Sequence, residues 1–315
     1  MALATGSQVK FSYITEATAG TFPATPALNV FAVQDFTIEE AKDTFTDSAI
    51  YADRQTHFFR HGNVKLNGDI TVTLLGPGAS PTGNTFFDPW FESLFRSAWT
   101  SNVLKVGNTP ESFSFEKAVT DVSGTTNYFR TSGVQCSAVT IDLALNAPVK
   151  AKFTWTGMSQ AATVTTPITG ATYVAQPSTS LPFIHTNASN VFKEGGSATT
   201  LLTSLSVTIN TALTANYGAG NATAIAVTAG KTTVTGTATY FFSDSSLYNK
   251  FINETGSSLE FKISDGTHAM DFLLPNVVYS AATQTVNNEN TLLVTMPFTA
   301  IYDSGTSTTV QITRS

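Results

Sequence analysis

Apolar and polar residues alternate along Gly62–Leu74, which reads GNVKLNGDITVTL. Val64, Leu66, Ile70, Val72 and Leu74 fall on one side, and Lys65, Asn67, Asp69, Thr71 and Thr73 on the other. A period of two predicts a strand with one buried and one wet face. The pattern returns at Gly230–Phe242, GKTTVTGTATYFF, with Val234, Ala238, Tyr240 and Phe242 apolar and Thr233, Thr235, Thr237 and Thr239 polar. In each copy a second glycine, Gly68 or Gly236, follows the first.

The surroundings repeat as well. A strand is predicted before each copy, at Val33–Ala41 and in LTSLSVTIN from Leu202. Asp43–His61 is a long polar connection that predicts a hairpin with a protruding loop, and TALTANYGAGNATAIAV takes its place later. After the Gly- and Pro-rich loop GPGASPTGN, Asp88-Pro89 predicts a helix start, with Asp capping and Pro in the first turn. Trp90, Phe91, Leu94, Phe95 and Ala98 form its apolar face, and Leu247, Tyr248, Phe251 and Ile252 repeat that spacing. Strands at Ser112–Ala118, Val134–Leu145 and Val149–Trp155 have counterparts at Leu259–Ile263, Val277–Gln284 and Leu292–Phe298. Ser123-Gly124 and Asp265-Gly266 are matching turn signals.

The predicted fold class is therefore mainly β, with two tandem sandwich or barrel units, each flanked by one short α-helix. The expected boundaries are an arm at 1–30, a first unit at 31–158, a connector at 159–200 and a second unit at 201–315. Arm and connector show little periodicity and are expected to be ordered by their neighbours, with a short strand near Thr172–Ala175.

Charged residues make up only 12% of the 315, and the formal charge is −6. A mildly acidic chain is a poor match for gripping a nucleic-acid backbone, which needs clustered Lys and Arg. The single cysteine, Cys136, rules out an internal disulfide. No apolar run reaches the ~20 residues of a membrane span, and the N-terminus MALATGSQVKF lacks the pattern of a signal peptide. Synthesis in a cytoplasm, with no membrane anchor, is the expectation.

The sequence predicts no catalytic, cofactor-binding or metal-binding residue. His57 and His61 lie in a polar loop without a matching Cys or carboxylate cluster, and His185 and His268 are isolated. Gly230-Lys231-Thr232 resembles the end of a phosphate-binding loop, but Ile225 stands where that loop needs glycine, and a strand follows in place of a helix. Cys136 sits in an apolar alternation and reads as a small buried residue. Glu39 and Glu40 are neighbours on a strand and point to opposite faces. The sequons at Asn187, Asn221 and Asn253 read as accidents of a Ser- and Thr-rich chain.

Several stretches together resemble the tail tube proteins of long-tailed bacteriophages, in their larger two-unit form. They are EATAGTFPATP, SAIYADRQTHFFRHGNVKLNGDI, FDPWFESLF, SLSVTINTALTANYGAG, VTAGKTTVTGTATYFFSDSSLYNKF and VTMPFTAIYDSGTSTTVQITRS. The resemblance spans nearly the whole chain and places Arg54 at the family's loop arginine.

What the resemblance implies is a virion structural protein that partners itself. Strands of neighbouring units would join into one barrel, six units making a ring, so that two-unit chains close a homotrimer. Rings would stack into a tube that holds the tape-measure protein, lets DNA pass without sticking, and meets tail terminator and distal tail proteins. Ring-stacking candidates are Asp47, Tyr51, Asp53, Arg54, His57, Phe58, Phe59 and Arg60, with the arm as a second stacking element. Lumen-facing candidates are Lys65, Asn67, Asp69, Thr71, Thr233, Thr235 and Thr237. The alternative is another β-rich virion or surface-binding module of baseplate or adhesin type. A β-sandwich glycosidase is disfavoured, since no acid/base carboxylate pair is found.

Overall fold

A computed structural model of the chain describes residues 4–76, 87–176, 179–184, 191–286 and 291–315. His185, the Asn187 sequon and most of the loop before the first helix lie outside these. The fold is mainly β. The first half holds β1 (Lys10–Thr15), β2 (Ala27–Phe31), β3 (Asp35–Phe36), β4 (Glu39–Thr46), β5 (Phe59–Thr73), α1 (Asp88–Phe95), β6 (Val103–Lys105), β7 (Phe113–Thr120), β8 (Thr126–Ala144) and β9 (Lys150–Gly157). Four short strands follow: β10 (Ser159–Gln160), β11 (Thr172–Val174), β12 (Phe192–Glu194) and β13 (Ser197–Ala198). The second half begins with β14 (Leu202–Asn210), β15 (Thr214–Asn216), β16 (Ala226–Thr228), β17 (Thr233–Phe241) and α2 (Ser246–Ile252). It ends with β18 (Ser257–Ser264), β19 (Ala269–Tyr279), β20 (Thr283–Thr285), β21 (Leu293–Ala300) and β22 (Gln311–Arg314).

One antiparallel run crosses the whole chain in the order β4-β5-β9-β8-β14-β17-β21-β20. Its inner face is the apolar side of the alternation. Ile70, Phe153, Val139, Ile209, Val234 and Ala300 stand opposite one another across six strands, none more than 6% exposed. A second layer is built from β11, β2, β1, β7 and the start of β8. β8 belongs to both layers, pairing with β7 up to Val134 and with β9 from Gln135 on. Gly133 supplies the turn with a φ of 67°. Strands that switch sheets at such bends make the corners of a sandwich.

Between the layers lies an aromatic core. The Trp90 ring on α1 sits 5.1 Å from Phe31, Phe153 and Trp155 and 5.4 Å from Tyr13, mostly edge to face. α1 forms where expected, with two corrections. Phe87 occupies the cap, so Asp88 falls inside the first turn, where its carboxylate accepts a 2.7 Å bond from Arg314. The helix also stops at Phe95, because Arg96 turns left-handed (φ 53°), which leaves Ala98 outside it.

The stretch expected to be a patternless arm, 1–30, contributes β1 and most of β2, and Tyr13 and Leu28, with Phe31 just beyond it, enter the core. Its apolar residues are too few to show a period, and only pairing of β1 with β7, and of β2 with β1 and β11, gives them a face. Glu16 fastens this segment. Its buried carboxylate accepts bonds from Ser112 Oγ (2.7 Å), Ser114 Oγ (2.5 Å), Gly20 N–H (2.8 Å) and Gly133 N–H (2.9 Å).

Nearby Glu111 titrates high, at about 7, chiefly because burial disfavours its charge, with the Glu92 charge adding and a Thr15 hydrogen bond subtracting. A raised carboxyl pKa means that the folded state binds more protons than the unfolded one as pH passes from 4.5 to about 7. Stability contributed by the protonated form is thus complete below that window and lost across it. Glu111→Gln is expected to leave stability unchanged near pH 4 and to raise it near pH 8 by about 1–3 kcal/mol after solvent screening. Urea unfolding at both pH values checks this.

The pairing registers of the two halves correspond. Cys136↔Trp155 recurs as Tyr279↔Phe298, and Ile141↔Ala151 as Gln284↔Val294, every partner 143 positions on. β7 and β18 break register at the same place, between Phe113 and Phe115 and between Ser257 and Leu259. Gly68 faces Trp155 on β9, and Gly236 faces Phe298 on β21. The halves differ at the second helix: α2 buries no residue fully, and Tyr248 and Ile252 are 38% and 55% exposed.

Candidate channel wall and assembly edges

The outer face of the long sheet is polar across its central rows. One cross-strand row reads Thr71, Lys152, Thr140, Thr208, Thr235 and Thr299. The next reads Thr73, Lys150, Asp142, Ser206, Thr237 and Pro297. All seven residues expected on a channel wall lie on this face. Lys65 is exposed and bonds Asp43 Oδ1 at 2.6 Å. Asn67 and Asp69 stand opposite Thr156 and Thr154, and Thr233 stands opposite Asn210.

The face is tied together side chain to side chain. Lys152 Nζ lies 2.8 Å from Asp69 Oδ2, and Thr154 Oγ1 donates to Asp69 Oδ1 at 2.7 Å. Partial burial works against the Asp69 charge, but the Lys152 ammonium and the Thr154 hydroxyl outweigh it and hold the carboxyl below its usual range. Thr140 and Thr208 hydroxyls meet at 2.9 Å, and Ser206 Oγ donates to Asp142 at 2.7 Å. Charge is confined to the first-half strands. On β14, β17 and β21 this face carries Ser, Thr, Asn and Pro, with Phe241 and Leu293 facing each other at one end. Sequence reasoning missed Lys150, Lys152, Thr140, Asp142 and the β14 hydroxyls. Their signal was available as the polar complement of the apolar residues Val149, Ala151, Phe153 and Trp155.

Among the described residues the long sheet ends in two edges, β4 and β20. β4 pairs with β5, and β20 with β21. In the middle of the sheet the same two kinds of strand meet: β8, the counterpart of β19 and β20, pairs with β14, the counterpart of β3 and β4. There Leu143 and Leu205 face each other, 5% and 2% exposed. Val286, the counterpart of Leu143, is 74% exposed beside the free edge.

Beyond β4 and β5 the chain projects as a hairpin whose tip is residues 47–58. The stacking candidates all lie on this hairpin. Asp53, Arg54, His57, Phe58, Phe59 and Arg60 are exposed, and Asp47 and Tyr51 half-buried. His57 stacks on Tyr51 at 3.7 Å between ring centroids and lies 2.8 Å from Asp53. Asp53 also accepts the Gln55 N–H, so this is a local turn. Phe45, Ile50, Phe58 and Phe59 are all at least 50% exposed.

The groups weighed for chemistry have structural partners. Glu39 pairs with Lys117 at 2.9 Å and Glu40 with Lys42 at 3.3 Å. Cys136 is buried, its thiol pushed well above the usual range by that burial, and its N–H donates to Ser93 Oγ. Strand β17 follows Gly230-Lys231-Thr232. No helix among the described residues is long and apolar enough to cross a membrane.

No curated protein matches the chain. A family model described as phage tail tube protein matches residues 6–300. With nearly its whole length matched and a β-rich fold of multi-strand sheets, the chain belongs to the phage tail tube protein family, as a structural component that assembles with its own kind into the tube of a virion tail.

Proposed function

We propose that three copies of this chain close a ring of six homologous units, two per chain, and that stacked rings form the channel. The polar face of the long sheet lines that channel. Neutral hydroxyls alternate around it with the first-half charges, where Lys152 pairs with Asp69, Lys65 with Asp43, and Lys150 stands opposite Asp142, so each lysine that passing DNA meets has a carboxylate beside it. The lumen first holds the tape-measure protein, and the tube ends meet terminator and distal tail proteins. The chain is made in the host cytoplasm and acts as structure, not as a catalyst.

The observation that carries this reading is the internal seam. Joining β8 to β14 removes two edges inside the chain, while equivalent edges stay open at β4 and β20. Open edges of this kind pair with another chain. The internal register also supplies the external one. Val207 faces Gly236, and Ile38 lies opposite Gly68, flanked by Phe36↔Ile70 and Glu39↔Asn67. Transferring Val207↔Ile141 and Thr208↔Thr140 therefore sets Ile38 against Gln284 and Glu39 against Thr283 of the next chain.

The test is a disulfide across that seam. The double variant Glu39→Cys, Thr283→Cys is expected to link chains under mild oxidation, since directly opposed strand residues hold their Cβ atoms ~4.5–5.5 Å apart. Denaturing electrophoresis without reductant should give a ladder that ends at three chains. Electron microscopy should show hollow tubes of regular width. No link in assembled protein, or a ladder running on past three, rejects the trimeric ring.

A further inference from the structure

The two halves treat one hairpin differently. In the first half the outer ends of β4 and β5 pair as Phe45↔Arg60 and Thr46↔Phe59. In the second half β15 and β16 pair as Thr214↔Thr228 and Ala215↔Val227. Partners correspond 169 and 168 positions on, the same spacings that relate β4 to β14 and β5 to β17. The first hairpin extends straight from its sheet. The second has left its sheet and lies on the first half. Ala222 O accepts the Val64 N–H at 2.8 Å, and Tyr217 OH donates to Val64 O at 2.8 Å. Ile225, Ala226 and Val227 share a cleft with Pro110, Gln135 and Met158.

The bend has a defined place. Ala212 is left-handed at φ 48°, and the Gly230 N–H reaches back to Thr211 O and Ala212 O at 3.1 and 3.2 Å. By the same spacings their counterparts are Asp43 and Gly62. β4 already loses register between Lys42 and Thr44, on either side of Asp43. Aspartate enters the left-handed region more readily than most residues. Gly62 lies against Phe45, where an added Cβ would come within 2.5 Å of the ring.

Apolar surface is left over on both sides of the missing contact. Phe58 and Phe59, counterparts of Ala226 and Val227, are 50% and 54% exposed. Ile301, the counterpart of Met158, is 44% exposed, and the adjacent Tyr302 63%. Among the described residues no hairpin covers Ile301, 44% exposed, as the second hairpin lies beside Met158.

We propose that hairpin 43–62 bends at Asp43 and Gly62 when the ring closes and lies sideways across the second half of the preceding chain, seating Phe58 and Phe59 on Ile301 and Tyr302. This rests on the ring proposed above. Its partner is a second copy of this chain within the same ring. The tip around Ile50–Arg54 stays available to the next ring.

The experiment compares two cysteine pairs in assembled tubes. Cys136 is buried and does not compete. Phe58→Cys with Ile301→Cys should link chains into a ladder ending at three, as Glu39→Cys with Thr283→Cys does. A ladder from the first pair that runs past three puts the aromatic flank against another ring and overturns the proposal. Seam links without hairpin links overturn it too while leaving the ring intact, whereas failure of both pairs rejects ring and strap together. A second variant reads the hinge. Asp43→Val, whose branched Cβ resists the left-handed region, should keep the monomer folded by circular dichroism and lower tube yield about tenfold or more. Asp43→Asn should assemble normally. Normal tube yield from Asp43→Val also overturns the proposal.

Discussion

Replacing Trp90 with alanine is expected to destabilise the chain by about 3–5 kcal/mol, the usual cost of removing a fully enclosed large aromatic. Trp90 has no exposed surface. It joins α1 to both layers at once, touching Tyr13, Phe31 and Phe115 on one side and Phe153 and Trp155 on the other. None of these neighbours can collapse into the space without leaving its own strand, so the cavity persists. Tyr248 occupies the corresponding helix in the second half but is 38% exposed, and Tyr248→Ala is expected to cost less than about 1 kcal/mol. Urea unfolding of the unassembled protein measures both. Similar losses for the two variants would mean that α1 is no more deeply anchored than α2.

The glycine at the centre of each repeated strand gives the second large effect. A Cβ on Gly68 would lie 2.4 Å from Thr37 O and 2.5 Å from Ile38 Cα. Both are backbone atoms of the neighbouring edge, so neither can rotate away. Gly68→Val is expected to push β3 and β4 off β5, cost about 1–3 kcal/mol as overpacking does, and spoil the edge on which the ring seam is proposed. Tubes should be lost while a folded monomer persists. In Gly236→Val the contacts are Phe298 Cζ at 2.4 Å and Ser206 O at 2.5 Å. Phe298 can shift in part, but Ser206 lies on a strand held on both sides. That variant should lower stability without altering either free edge. Sedimentation and electron microscopy of both proteins separate the outcomes, and Gly68→Val tubes at wild-type yield would refute the role given to that edge.

The alternation at Val64–Leu74 and Val234–Phe242 was legible in the sequence because a strand with one dry and one wet face must repeat every second residue. The helix face of Trp90, Phe91, Leu94 and Phe95 was legible for the same kind of reason. So were the buried place of Cys136 and the separate directions of Glu39 and Glu40. These features depend on neighbours within a few positions. β1 and β2 were not legible, since Tyr13 acquires a buried side only by pairing with Phe115, about a hundred residues away, and Phe31 by pairing with β1 in turn. The end of α1 was not legible either, because Arg96 adopts a backbone conformation that its residue type does not announce.

Sequence by itself determined the period of each strand, the order of elements in each half and the polarity of the outer face, through local spacing and side-chain chemistry. Tertiary structure decided which strands adjoin. It placed Thr71, Lys152, Thr140, Thr208, Thr235 and Thr299 in one row, joined β8 to β14, and left β4 and β20 as edges. It also decided that the hairpin opened by Gly62 stands free while the one at Gly230 lies folded on its neighbour. Hydrogen bonds between strands are blind to side-chain identity, so register and adjacency follow from how the whole core closes and not from any one segment.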